Sequence, residues 1–184
     1  MLDTKIKSFI EFINENNKDT KEAQPSFYPK GVYIDLKLTE SSYNELSKYI
    51  NDISSKIQNI KPNTDLHCTL IYSKKEHNEE IKPQEYQCTA IPKTLSLFGE
   101  NKDTLVLELN SDCLKQRNKY LMDKYNFISD FKEYKPHITL AYECSNIDVN
   151  GIELPNFIIE LENETIQELN ENWLEDNKEK DKNE

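Results

Sequence analysis

Apolar and polar positions change period several times along the chain, and each change marks an element. Ile6, Phe9, Ile10 and Ile13 recur at three- and four-residue spacing, which predicts an amphipathic opening helix. From Asn14 to Lys30 the pattern lapses into polar residues with Pro25 and Pro29, as a linker does. Strict alternation then begins. Val32, Ile34, Leu36 and Leu38 take one side and Tyr33, Asp35 and Lys37 the other, the pattern of a half-buried strand. A helical period returns from about Ser41 to Gln58. Tyr43, Leu46, Ile50, Ile53 and Ile57 form its apolar stripe, and Ser42 with Glu45 resembles a capping box. Lys61-Pro62-Asn63-Thr64 is a loop, and Asp65 to Tyr72 reads as the next strand.

The second half repeats this order. Lys74 to Pro83 is a charged loop containing His77. Tyr86–Ile91 and Leu95–Phe98 read as two strands, Gly99 to Asp103 as a turn and Thr104–Leu109 as a strand. Ser111 caps a helix to about Tyr125, with Leu114, Leu121, Met122 and Tyr125 inward. A loop through Phe131 and Tyr134 leads to a strand from Lys135 to Tyr142. Phe157–Leu161 and Thr165–Leu169 read as a closing hairpin around Glu162-Asn163-Glu164. Beyond Trp173 the chain is charged and aperiodic, with the signature of a disordered tail. Strand–helix–strand therefore occurs twice in an α+β chain, and each copy ends in His-x-Thr.

Composition narrows the picture. The 184 residues suit one domain, residues 31–170, behind an N-terminal helix and linker (1–30) and before an acidic tail (171–184). Net charge is −11, and Arg117 is the one arginine. That argues against a long nucleic acid, which meets a basic surface, and leaves a small anionic substrate in a local pocket. Cys68, Cys88, Cys113 and Cys144 lack zinc-like spacing and are expected as reduced thiols of a cytoplasmic protein. No apolar run approaches the roughly 20 residues of a membrane span, and the N-terminus has no secretory pattern. No membrane partner is expected.

The chemistry lies in the repeat. Residues i and i+2 of a strand share a face, so His67 and Thr69 stand together, opposed by Leu66, Cys68 and Leu70, and His137 and Thr139 do likewise. Two such strands side by side meet the needs of a phosphodiester. One imidazole activates the attacking oxygen, the other protonates the leaving oxygen, and hydroxyls donate to the non-bridging oxygens. With three histidines in all and no carboxylate flanking either motif closely, no metal set is expected. His77 reads as an ordinary loop residue.

The repeated His-x-Thr resembles the two-histidine (2H) phosphoesterase superfamily, with its bilobal, duplicated fold of antiparallel sheets flanked by helices around a central cleft. More narrowly, Leu66-His67-Cys68-Thr69-Leu70-Ile71-Tyr72-Ser73, Gly31-Val32-Tyr33 with the following Leu36-Lys37-Leu38-Thr39, and Tyr134-Lys135-Pro136-His137-Ile138-Thr139 resemble the phage anti-CBASS nucleases. The resemblance runs from about Gly31 to Leu169. It implies cleavage, without metal or cofactor, of 3′–5′ linkages in the cyclic di- and trinucleotide signals of bacterial antiviral immunity. A neighbouring 2′-hydroxyl attacks, and the resulting 2′,3′-cyclic phosphate opens to a linear product. Carried over residue by residue, it gives catalytic roles to His67, Thr69, His137 and Thr139 and a substrate contact to Tyr33. It also implies an aromatic between the motifs and a C-terminal acid. Phe98 and Glu168 are the candidates, with Tyr86 and Glu164 as alternatives. Lys37, Lys74 and Lys135 either offset substrate charge or are simply solvated. The duplication leaves the two histidines formally equivalent, so base and acid are unassigned, as are base preference and oligomeric state. Two rival readings stand beside this one: an RNA-processing phosphodiesterase for 2′,3′-cyclic ends or 2′–5′ linkages, and a non-catalytic nucleotide sponge.

Overall fold

The computed structural model describes residues 27–57, 60–144 and 147–170; the predicted opening helix and the acidic tail lie outside them. In chain order the described elements are β1 (Val32–Leu38), α1 (Glu40–Ser54), β2 (Lys61–Pro62), β3 (His67–Ser73), β4 (Cys88–Phe98), β5 (Thr104–Asn110), α2 (Asp112–Tyr125), β6 (His137–Tyr142), a single 3-10 turn (Val149–Gly151) and β7 (Ile159–Glu168). Strand order is β2-β6-β3-β1-β7-β4-β5, and β5 also pairs with β6, so the sheet closes on itself. Every pairing is antiparallel.

Two lobes emerge from the length of the ladders. Long ladders join β3, β1 and β7 in one lobe and β4, β5 and β6 in the other. Along the sheet the lobes meet at the Cys68↔Ile138 rung on one side and over Cys88–Ala90 against Ile159–Leu161 on the other. The strands of the two strand–helix–strand units, β1 with β3 and β5 with β6, fall one pair to each lobe, and α2 packs across onto β3 as well as β4. This is the bilobal α+β arrangement expected from the sequence.

The helices cover the apolar faces. Val32, Ile34 and Leu36 of β1, Leu46 and Ile50 of α1, and Leu114 and Leu121 of α2 are buried in one core, each burial stabilising the fold by about 1.5–3 kcal/mol. The cap of α1 is Thr39, whose Oγ1 accepts from Ser42 N. Ser42, read from the sequence as a capping residue, is instead buried, and its Oγ accepts from Glu160 N at 2.8 Å. Ser111 caps α2 as expected, accepting from Leu114 N.

Three expectations are corrected. The two strands predicted around Pro92 are one strand, with a register shift between Pro92 and Thr94 that absorbs the missing N–H. The closing hairpin is also one strand. Asn163, at φ 55°, is an extra residue in β7: Leu36 pairs with Glu164 and Lys37 with Glu162. A left-handed Asn reads in sequence as a turn, yet here it makes a bulge. Finally, Cys88 and Cys113 form a disulfide, their Cα atoms 6.0 Å apart where β4 meets the start of α2; Cys68 and Cys144 are free and buried. No described helix is long and apolar enough to cross a membrane.

Candidate active site

The site is built on β3 and β6, which share a device beyond His-x-Thr. In β3, Asp35 pairs with Thr69 but Ile34 with Ile71, so Leu70 is an extra residue. In β6, Val106 pairs with Thr139 but Leu105 with Ala141, so Leu140 is extra. Each bulge leaves its leucine carbonyl outside the ladder, and an asparagine supplies the donor: Asn118 Nδ2 to Leu70 O at 2.7 Å, and Asn63 N to Leu140 O at 2.8 Å. The extra residue also resets the alternation. Tyr72 and Tyr142 consequently join the face of the histidines and threonines.

Rung partners share a face, so the pairing also says what surrounds the site. On the first lobe, Tyr33, Asp35 and Lys37 of β1 stand opposite Tyr72, Thr69 and His67 on one side and Gln167, Thr165 and Glu162 of β7 on the other. The Cys68↔Ile138 rung sets the two motifs antiparallel, bringing His67 toward Thr139 and Thr69 toward His137.

Each histidine is fixed through Nδ1. That nitrogen lies 2.8 Å from Asp65 O in His67 and 2.7 Å from Lys135 O in His137. A carbonyl only accepts, so Nδ1 carries the proton in both rings and the neutral Nε2 is an acceptor. Tyr33 Oη, 2.7 Å from His67 Nε2, therefore donates to it, and the Thr69 hydroxyl, also at 2.7 Å, donates to Tyr33. Burial raises the Tyr33 phenol well above its ordinary value, keeping it neutral. Tyr134 Oη donates to Thr69 O, bracing β3 from the chain just before β6. On the other lobe, the Phe98 ring lies 4.9 Å from His137, centroid to centroid. Burial lowers the His137 pKa, and the charge of His67 adds to the effect, against the opposing pull of Lys135 O and Glu108. Its Nε2 has no hydrogen-bond partner among the described residues.

Of the residues singled out in the sequence, His67, Thr69, His137, Thr139, Tyr33 and Phe98 come together here. Glu168 does not. It pairs with Val32, on the face away from His67, and accepts from Lys30 N. The alternatives fail for a related reason. Glu164 is buried behind the sheet in a two-pronged ion pair with Arg117, both contacts 2.8 Å, and Tyr86 stacks on that guanidinium at 5.1 Å. Lys37 is at the site but tied to Asp65 at 3.1 Å. Lys135 and the exposed Lys74 flank it, and His77 packs among Tyr28, Tyr125 and Phe127.

Four residues went unmarked in the sequence: Tyr72, Tyr142, Gln167 and Asp65. For the tyrosines the signal was present, since the repeat reads His-x-Thr-Leu-x-Tyr in both copies. Asp65 corrects the expectation that no carboxylate flanks the motifs: its Oδ2 lies 3.3 Å from His67 Nδ1. Among the described residues no three His, Cys, Asp or Glu side chains converge as a metal-binding group.

A family profile described as Anti-CBASS protein Acb1 matches residues 30–176. The chain belongs to this family. One curated member, the Anti-CBASS protein Acb1 of Salmonella phage S16, is 28% identical over 150 residues, covering 81% of this chain and 95% of that protein. Among solved structures, TT0787 of Thermus thermophilus superposes with a TM-score of 0.53 at 15% identity, over 74% of this chain and 86% of that one. Apo E. coli LigT does so with 0.52 at 17%, over 76% and 87%. The chain thus shares the fold of these structures.

Proposed function

We propose that this anti-CBASS protein is a metal-independent phosphodiesterase that cuts 3′–5′ linkages of cyclic di- and trinucleotide immune signals in the bacterial host cytoplasm. The observation that carries the reading is the pair of histidines on facing strands, each with Nδ1 capped by a carbonyl and Nε2 left as the proton-exchanging atom. One takes the proton of a ribose 2′-hydroxyl as that oxygen attacks phosphorus; the other gives a proton to the departing 5′-oxygen. Thr69 and Thr139 donate to the non-bridging oxygens, where charge accumulates. Tyr33, Tyr72 and Phe98 offer aromatic surfaces to the bases. A cavity of about 280 Å³ that reaches Pro136, next to His137 in the chain, is lined by Lys93, Lys115 and Lys135 with Glu108 and Glu133, a slight excess of positive charge in an otherwise acidic chain.

The test is incubation, with EDTA present, with a 3′,3′-linked cyclic dinucleotide, a cyclic trinucleotide and a 2′,3′-cyclic mononucleotide, with products separated by chromatography. Linear oligonucleotide from the cyclic substrates, absent with His67→Ala and with His137→Ala, supports the reading. Opening of the mononucleotide alone points to RNA-end processing, and retention of intact ligand points to a sponge; either result overturns it.

A further inference from the structure

His67 and His137 are equivalent in register, but the residue two before each is not. β3 is preceded there by Asp65 and β6 by Lys135. Both backbones cap Nδ1 in the same way. Asp65 adds its side chain, with Oδ2 3.3 Å from His67 Nδ1 and Oδ1 accepting from Lys37 Nζ at 3.1 Å. The hydrogen bond to His67, ahead of the help from Lys37, holds the Asp65 carboxyl far below its ordinary range, so it is ionised across neutral pH.

Among the described residues, His137 has no free carboxylate at hand. Glu108 faces it across the β5–β6 rung, but Oε1 accepts from Ser96 Oγ at 2.6 Å and Oε2 lies 4.0 Å from Lys93 Nζ. The other titratable groups around His67 are Lys37, Tyr33 and the buried Asp35 on β1, and His137 and Tyr142 on β6. Burial keeps the Tyr33 phenol neutral, as it does that of Tyr142, which is pushed up to about 12. Lys37 lies 3.6 Å from Asp35 as well as 3.1 Å from Asp65, so its single charge is shared between two carboxylates.

Building on the phosphodiesterase reading above, we infer that Asp65 is a positioning residue that makes His67 the general acid and leaves His137 as the general base. Neutral His137 Nε2 takes the proton of the 2′-hydroxyl, whose oxygen bonds to phosphorus. The bond from phosphorus to the 5′-oxygen breaks, and His67, which has first taken a proton from solvent at Nε2, gives that proton to the departing oxygen, displacing Tyr33 as its partner. His67 ends neutral, still donating Nδ1–H toward Asp65, and His137 ends protonated. When water opens the cyclic phosphate the two exchange roles: His67 takes a proton from water and His137 returns one to the 2′-oxygen.

The experiment replaces the bridging 5′-oxygen of a cyclic dinucleotide with sulfur, since a thiolate leaves without being protonated. On the oxygen substrate, His67→Ala loses about 10²–10⁴-fold in kcat and Asp65→Asn roughly tenfold. On the sulfur substrate both recover to near the wild-type rate, while His137→Ala stays impaired on both. Asp65→Glu restores part of the loss, a recovery that a purely structural role would not produce. Asp65 is 71% exposed, so its variants keep the fold, which matched melting curves verify. Equal losses of His67→Ala and Asp65→Asn on both substrates, or rescue of His137→Ala by sulfur, overturn the assignment while leaving the phosphodiesterase reading intact. A wild type that cuts neither substrate overturns that reading and this one together.

Discussion

β3 and β6 share His, Thr, Leu and Tyr at the same four positions and the same bulge after threonine, yet they surround their histidines differently. His67 is wired on both nitrogens, to Tyr33 through Nε2 and to the Asp65 carbonyl and carboxylate at Nδ1. His137 is capped at one nitrogen and lies against Phe98. The repeated backbone supplies position. The side chains that do not repeat decide what each ring can do.

The harshest test of the comparison removes each ring. His67→Ala and His137→Ala should each lower turnover of the cyclic substrate by about 10²–10⁴-fold, read from product formation. A variant that kept wild-type activity would show that one strand is ornamental. Next in size is the buried ion pair that fastens α2 to the sheet, since Arg117 rises from α2 and Glu164 from β7. Arg117→Ala strands a buried carboxylate and should cost about 3–5 kcal/mol in denaturant unfolding; a loss under about 1 kcal/mol would mean that α2 is held without the pair.

Smaller effects sharpen the contrast. Burial holds the His137 imidazole below its ordinary value, so it stays neutral, and able to accept a proton, to lower pH than a free one. The acid limb of kcat/KM should therefore fall below about pH 6.5. Phe98→Ala admits water to the ring and should move that limb up toward about 6.5, a change of less than about tenfold in rate at about pH 6. The sign for stability is the same. As pH falls the unfolded chain protonates this histidine first, so its contribution is full above about 6.5 and is lost below. A limb that moved down in the variant would contradict the burial argument. Smallest is Asn118→Ala, which takes the donor from Leu70 O at the β3 bulge and should cost about 1 kcal/mol. Asn63→Ala spares the Leu140 O bond, because that donor is a backbone N–H, but it removes the Nδ2 bonds to Thr139 O at 2.9 Å and Asp65 O at 3.1 Å. No measurable cost for Asn118→Ala would mean that the β3 bulge is not held as its geometry indicates.

Much of this was legible in the chain. The alternation of Val32, Ile34 and Leu36, the helical stripes and the paired His-x-Thr follow from period, while Tyr33 and Phe98 came from the family resemblance; the structure brings these six of the seven candidate residues together. Glu168 was picked as the C-terminal acid the resemblance implies, by approximate spacing, and a bulge decides which face such a position takes. Asn163 is one residue too many in β7, so the face of every later residue is the reverse of what strict alternation gives. Gln167 then faces Tyr33, and Glu168 does not. Leu70 and Leu140 act in the same way on Tyr72 and Tyr142. The Cys88–Cys113 bond was invisible for another reason: it depends on how β4 lies against α2, which no local pattern records.

The shared bulge also speaks to ancestry. In a doubled chain, a device found at the same offset in both halves is older than the doubling. A doubled unit of this kind carried the extra leucine and the tyrosine that it turns onto the face of the histidine, while Asp65 and Phe98 mark where the two halves differ. Such a half-sized ancestor held one histidine, and it could bring two to a single phosphate only by meeting another copy of itself.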